Sequence, residues 1–283
     1  MEDKEINNIT LEILRKYNLK LNKSLGQNFL IDQNITGKIV DGAEISKDDI
    51  VVEVGPGIGS LTRVIAERAE RVIAVEIDKN VIEPLEEALM GYDNVEVINE
   101  DILKADIKKL FDFGDRKIKV VANLPYYITT PIIMRFFEEN INVESLTLMV
   151  QKEVADRIVS VPGKKDYGIL SVAVQFYSRA KKLFDVPKGC FVPQPDVISA
   201  VIRLDVLEKA AIDTDDKEHF FKVVKASFGQ RRKTLVNALC NSGIGKGMTK
   251  EDIRNIIVAM ELSENVRAEE LSIEQFGELA KKI

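Results

Sequence analysis

The stretch VVEVGPGIGSLTRVIAE, Val51–Glu67, decides how the rest of the chain is read. An apolar strand runs into glycines at 55, 57 and 59, and a helical pattern follows at once. Glycine lets a backbone turn sharply and lets a ligand approach the main chain, so this is the layout of a nucleotide-binding turn. The dinucleotide fingerprint GxGxxG needs glycine at position 60, where Ser60 stands, so the motif is GxGxG preceded by Glu53.

Outward from this turn, strand-like runs IVVEV, RVIAVE, NVEVIN, IKVVAN and SLTLMV alternate with segments of helical spacing. Repeated strand–helix units imply a parallel sheet covered by helices on both faces. After residue 167 the rhythm changes: YGILSVAVQFYSRAKKLFDV and VISAVIRLDVL read as two longer strands, expected as an antiparallel pair added to the parallel sheet. Beyond Lys209 four helical segments follow, with Thr249 and Ser272 as amino-terminal caps. The boundary is expected near residue 207, giving an α/β domain over 1–207, with an amino-terminal extension, and a small helical domain over 208–283. NSGIGKGMT lacks the phosphate-loop spacing and reads as an interhelical turn.

Composition narrows the chemistry. The 283 residues are 45% hydrophobic, contain no apolar run of about 20 residues, and begin with neither a basic end nor an apolar leader, so a cytoplasmic protein without a membrane span is expected. One histidine, His219, and two distant cysteines, Cys190 and Cys240, argue against a nucleophilic triad, a disulfide framework or a metal site. The net charge of −6 argues mildly against nonspecific coating of nucleic acid. Two local basic stretches stand out, Arg231, Arg232 and Lys233 in one and Lys16, Lys20 and Lys23 in the other; a charge run by itself is an ordinary solvated face.

Open parallel sheets bind ligands at the carboxyl ends of their strands. The glycine turn, Glu76 at the end of the second strand and Asp101 at the end of the third should therefore converge on one ligand. Glu76 lies where an acidic side chain accepts ribose hydroxyls, which suggests an adenosine-containing cofactor held without a dedicated phosphate cradle. The fourth strand ends in NLPYYITTP, Asn123–Pro131. An exocyclic aromatic amine is a poor nucleophile because its lone pair is delocalised into the ring. Two acceptors that take its hydrogens can aim that lone pair at a methyl donor: the side-chain oxygen of Asn123 and the main-chain carbonyl of Leu124, with Pro125 setting the turn. Tyr126 then offers a flat face for an extruded base.

Taken in order, KSLGQNFL, EVGPGIGSLT, VEID, EDIL, NLPYYITTPI, FVPQP and SFGQRRKTL resemble the small-subunit (16S) ribosomal RNA adenine N6,N6-dimethyltransferases over nearly the whole chain. The resemblance implies a class I Rossmann-like fold and S-adenosylmethionine as methyl donor. The implied reaction is dimethylation of two adjacent adenosines in the 3′-terminal hairpin of 16S rRNA, within the small (30S) subunit or its precursor and linked to its biogenesis. Carried over, Asn28 and Leu30 meet the methionine end of the cofactor and Gly55 and Gly57 pass beneath it. Glu76 takes the ribose with Ile77 beside it in the cofactor site, Asp101 and the main chain of Ile102 read the adenine, and Asn123 lies between cofactor and target. Phe191 of FVPQP becomes a second aromatic face for the target base, and Arg231, Arg232 and Lys233 become phosphate contacts in a helical rRNA-recognition domain. A monomer with no metal and no obligate protein partner suffices. The rivals are a large-subunit rRNA adenine methyltransferase, disfavoured by the helical segment with SFGQRRKTL, and a noncatalytic assembly factor, disfavoured by the intact cofactor motifs.

Overall fold

The computed structural model describes residues 5–17, 27–139, 141–214 and 216–283. Lys20 and Lys23, like residues 23–26 of KSLGQNFL, lie outside them, and Lys16 pairs with Glu87 at 2.5 Å. Contacts divide the chain into two compact units, Met1–Ala155 with Lys181–Val206, and Asp156–Ala180 with Leu207–Ile283.

The first unit carries the sheet. Its strands are β1 (Phe29–Leu30), β2 (Ile50–Val54), β3 (Arg71–Glu76), β4 (Val95–Asn99), β5 (Ile118–Asn123), β6 (Val143–Gln151), β7 (Ser178–Val186), β8 (Phe191–Val192) and β9 (Ser199–Val206). Seven of them line up in the order β4-β3-β2-β5-β6-β9-β7, while β1 and β8 pair separately as an antiparallel ribbon. The run from β4 to β6 is parallel, and β9 enters antiparallel beside β6. These strands read as continuous apolar runs because both faces are covered: every residue of β2 is buried, as are Val72–Glu76 of β3. Strand order reverses at β2, so the crevice at its carboxyl end, between β3 and β5, is where such sheets take ligands.

The helices before and between these strands are α1 (Glu5–Lys16), α2 (Gln33–Gly42), α3 (Ser60–Ala66), α4 (Ile82–Ala88), α5 (Ile107–Leu110), α6 (Thr129–Glu138) and α7 (Lys152–Ile158). One core joins α2 and α3 to the sheet through Ile39, Val40, Leu61, Ile65, Val72 and Val121. A smaller cluster of Ile13, Phe29, Ile58, Val81 and Ala88 seats α1 beside the glycine turn.

The second unit is helical: α8 (Ile169–Tyr177), α9 (Lys217–Phe228), α10 (Leu235–Ser242), α11 (Lys250–Ala259) and α12 (Ile273–Lys282). Thr249 and Ser272 cap α11 and α12, each side-chain oxygen accepting the main-chain N–H three residues on. NSGIGKGMT is the turn between α10 and α11, with Gly243 in the left-handed conformation that ends α10.

Two sequence expectations need correction. Residues 169–177 are a helix, and the strand begins only at Ser178. Ile169–Tyr177 is apolar and rich in branched residues because Val172, Val174 and Phe176 are buried; Val172 and Phe176 belong to the helical core, where Phe176 meets Phe220 and Phe221 at ring-centroid distances of 5.2 and 5.1 Å. A helix buried over most of its surface shows no stripe, so its pattern resembles that of a buried strand. For the same reason a single division after residue 207 misses Asp156–Ala180, which belongs with the helical unit.

Candidate active site

A cavity of about 250 Å³ opens at the carboxyl ends of β2, β3 and β5. Its lining joins Asn28 and Leu30 to Gly55, Gly57, Glu76, Ile77, Asp101, Ile102 and the whole run Asn123–Ile128. Residues separated by nearly 100 positions therefore meet because parallel strands deliver their carboxyl ends to one edge.

The glycine turn is built around two carboxylates. Gly55 and Gly57 take φ of +70° and +57°, and a Cβ at Gly57 would lie 2.8 Å from the Phe29 ring. The N–H of Gly57 donates to Glu76 Oε2 at 3.1 Å, and that of Asp78 to Oε1 at 2.8 Å, tying the turn to the end of β3. Burial raises the Glu76 carboxyl above its ordinary range. Glu53, 1% exposed, is affected more strongly: burial, with the nearby charge of Glu76 adding to it, pushes its carboxyl up to about 8. Its Oε2 has no hydrogen-bond partner, although Glu53 lines the cavity. A buried carboxyl with one oxygen unpaired at a cavity wall fits a ligand that brings a positive charge.

Just beyond β4, Asp101 Oδ1 accepts the N–H of Leu103 at 3.0 Å, and Oδ2 faces the exposed Lys104 at 3.2 Å. Ile77 is 49% exposed at the mouth, a flat apolar surface beside Glu76. Gln27, not anticipated from the sequence, donates to Asp78 Oδ2 at 2.8 Å and fastens the segment before β1 to the end of β3.

On the other side of β2, β5 runs out at Asn123. Its Nδ2 donates to the Asn28 carbonyl at 3.1 Å, which leaves Oδ1 as the acceptor of that amide. Pro125, at φ −56°, turns the chain into the short helix Tyr126–Ile128 before α6 begins. Tyr126 is half-buried and Tyr127 is 61% exposed. Phe191 does not join them: it is 2% exposed, packed in the core of the first unit and paired with Leu30 across the β1–β8 ribbon. At that position the ring does not line the cavity.

In the helical unit, Arg231, Arg232 and Lys233 are exposed. Arg231 also holds structure, its Nη2 donating to the carbonyls of Lys165 (2.7 Å) and Tyr167 (3.2 Å) and facing Glu269 at 3.9 Å. These bonds bring the exposed Lys164 and Lys165 to the same place, beside Asp166. Arg232 and Lys233 make no ion pair among the described residues. Cys190 and Cys240 are free thiols, and among the described residues no group of three acids, cysteines or histidines could hold a metal. Nor is any described helix long and apolar enough to cross a membrane.

Compared with known proteins, residues 18–283 match the model of the family described as ribosomal RNA adenine dimethylase. The chain is 55% identical over 276 residues to the ribosomal RNA small subunit methyltransferase A of Alkaliphilus oremlandii, covering 97% of this chain and 96% of that one. Identity to the Clostridioides difficile protein of the same name is 51% over 278 residues, covering 98% and 95%. Among solved structures, a dimethyladenosine transferase from Plasmodium falciparum superposes with a TM-score of 0.75 at 26% identity, covering 89% of this chain and 95% of that one. The 23S rRNA methyltransferase ErmE superposes with a TM-score of 0.69 at 26% identity, covering 90% and 99%.

Proposed function

The chain belongs to the ribosomal RNA adenine dimethylase family, and from that premise we propose how its own residues carry out the reaction. It is a methyltransferase that uses S-adenosylmethionine to dimethylate adenine in small-subunit rRNA. When bound, the cofactor supplies an electrophilic methyl group and two positive charges, a sulfonium and an ammonium. The buried Glu53, its Oε2 without a hydrogen-bond partner, and the lining around it suit such a ligand.

Asn28 and Leu30 hold the methionine end, Gly55 and Gly57 pass beneath it, and Glu76 receives the ribose hydroxyls on its remaining lone pairs. Ile77 covers one face of the adenine, while Asp101 and the main chain of Ile102 read its edge. The target adenine enters from the β5 side and stacks on Tyr126. The observation that carries this half is the Asn123 amide: with its nitrogen bonded to Asn28, its oxygen accepts one hydrogen of the target amine, and the Leu124 carbonyl accepts the other. That pair turns the lone pair toward the methyl group. No strong base is needed, because the amine becomes acidic as the new N–C bond forms and its proton leaves to solvent.

The targets are two adjacent adenosines of the 3′-terminal hairpin, met in a small subunit or its precursor by a monomer in the cytoplasm. The unit of residues 1–155 and 181–206 carries the chemistry, and the helical unit of 156–180 and 207–283 the recognition of rRNA. Arg232 and Lys233, with Lys164 and Lys165 gathered beside them by Arg231, form a surface for phosphates. The test is transfer of labelled methyl to small subunits lacking the modification, with large subunits in parallel and nucleosides analysed by mass. Dimethyladenosine from small subunits alone is expected; label in large subunits, or binding without label, overturns the reading.

A further inference from the structure

Strand β9 runs against its neighbour β6, so its first residue sits at the edge where the parallel strands end. That residue is Ser199, opposite Gln151, and the adjacent carbonyl of Ile198 accepts the N–H of Lys152 at 2.9 Å. Ser199 is fully buried, and its hydroxyl lies 2.8 Å from that of Tyr126. The two tyrosines of NLPYY thus differ. Tyr126 is anchored at the far end of its ring, whereas Tyr127, 61% exposed, has no side-chain hydrogen bond among the described residues.

An aromatic side chain on a turn has two free torsions, and a stacking surface is useful only when both are set. A hydrogen bond to the para hydroxyl sets the first torsion and so fixes where the ring sits; the oxygen lies on the axis of the second, which is restrained by the in-plane preference of the phenolic O–H and by packing. The anchor is rigid: a fully buried strand residue, paired with Gln151 of β6, does not follow the ring if it swings.

We propose that Ser199 is a positioning residue for methyl transfer, its hydroxyl holding in place the Tyr126 ring against which the target adenine stacks. This rests on the reading of Tyr126 given above. The bond acts on the acceptor side alone, so it bears on turnover and not on the methyl donor. Ser199 carried no sequence motif, since its role arises only when β9 lies beside β6.

The experiment compares wild type with Ser199→Ala, Tyr126→Phe, the double variant and Tyr126→Ala, on unmodified small subunits. Single-turnover methyl transfer, cofactor affinity by calorimetry and thermal unfolding are measured for each. Losing one hydrogen bond should slow transfer about three- to tenfold in either single variant, with cofactor affinity and melting temperature close to wild type. The double variant should be no slower than the singles, because the same bond is removed, and Tyr126→Ala should be far slower than Tyr126→Phe. Multiplying losses in the double variant, an unimpaired Ser199→Ala, or a loss confined to cofactor affinity overturns the proposal. A wild-type protein that leaves small subunits unlabelled instead sinks the functional reading itself, and full activity of Tyr126→Ala sinks the stacking role.

Discussion

Replacing Glu53 with Gln should change how stability responds to pH, and the size of the change follows from burial. The carboxyl has an ordinary value of 4.5 and is pushed up to about 8 inside the fold, where it is 1% exposed and screening by solvent is negligible. Below about pH 4.5 it is protonated in both folded and unfolded chains, and nothing is lost. Between 4.5 and 8 the unfolded chain releases the proton while the folded chain keeps it, so stability falls as pH rises and levels off above 8. At roughly 1.4 kcal/mol per pH unit, the loss between pH 5 and pH 8 is about 3–4 kcal/mol. Glutamine has nearly the same shape and does not titrate. Thermal unfolding of both proteins across this range should show wild type losing about 7 °C or more relative to the variant, at about 2 °C per kcal/mol for a chain of this size. Burial also raises Glu76, so the variant keeps some slope of the same sign, and the difference between the two proteins reports Glu53. Cofactor binding adds a second reading. A cation at the cavity favours the ionised acid, so wild type should release a proton on binding near pH 7, visible as a buffer-dependent heat, and Glu53→Gln should release less. Parallel pH profiles for the two proteins would falsify the assignment of a neutral buried acid at this position.

Asn123→Ala should cut methyl transfer by about 10²–10³-fold while cofactor affinity changes only a few-fold, because the acceptor works mainly on the target amine; calorimetry beside a transfer assay separates the two, and near-normal turnover refutes the role. Gly57→Ala forces a side chain into a positive-φ position and against Phe29, so both melting temperature and cofactor affinity should fall; an unchanged affinity means the turn does not lie beneath the ligand. Arg232→Ala with Lys233→Ala should weaken binding to small subunits and reduce its logarithmic salt dependence by about 2, leaving cofactor affinity alone. Arg231 is better spared in that experiment, since its removal strips donors from two carbonyls and confounds binding with folding.

How much was readable in advance depended on whether a residue acts through its place on one strand or through a neighbour far along the chain. Gly55, Glu76, Asp101 and Asn123 each end a parallel strand or follow one directly, and strand ends can be counted from the sequence; all four line one cavity. Glu53 was visible as a charge inside an apolar strand, yet the extent of its burial depends on the packing around that strand. Phe191 was misplaced because a motif specifies neighbours in sequence, while the β1–β8 pairing turns this ring into the core. The helix Ile169–Tyr177 was missed because the run of buried residues Ser171–Val174 leaves it without an amphipathic stripe. Ser199 could not have been found without knowing that β9 lies beside β6.

The reversal of strand order at β2 also has an evolutionary side. Of the residues assigned to the methyl donor, those on the seven-stranded sheet lie on the β2–β3–β4 flank, with Asn28 and Leu30 added from β1 and the segment before it, whereas those assigned to the incoming base lie on the β5–β6–β9 flank. The two flanks share a floor but few side chains, so drift on one need not disturb the other. Substrate preference is then free to diverge while donor chemistry stays constant, which accords with the close superposition on a 23S rRNA methyltransferase despite 26% identity. A designer wishing to redirect this scaffold to another RNA would begin on the second flank and leave the first untouched.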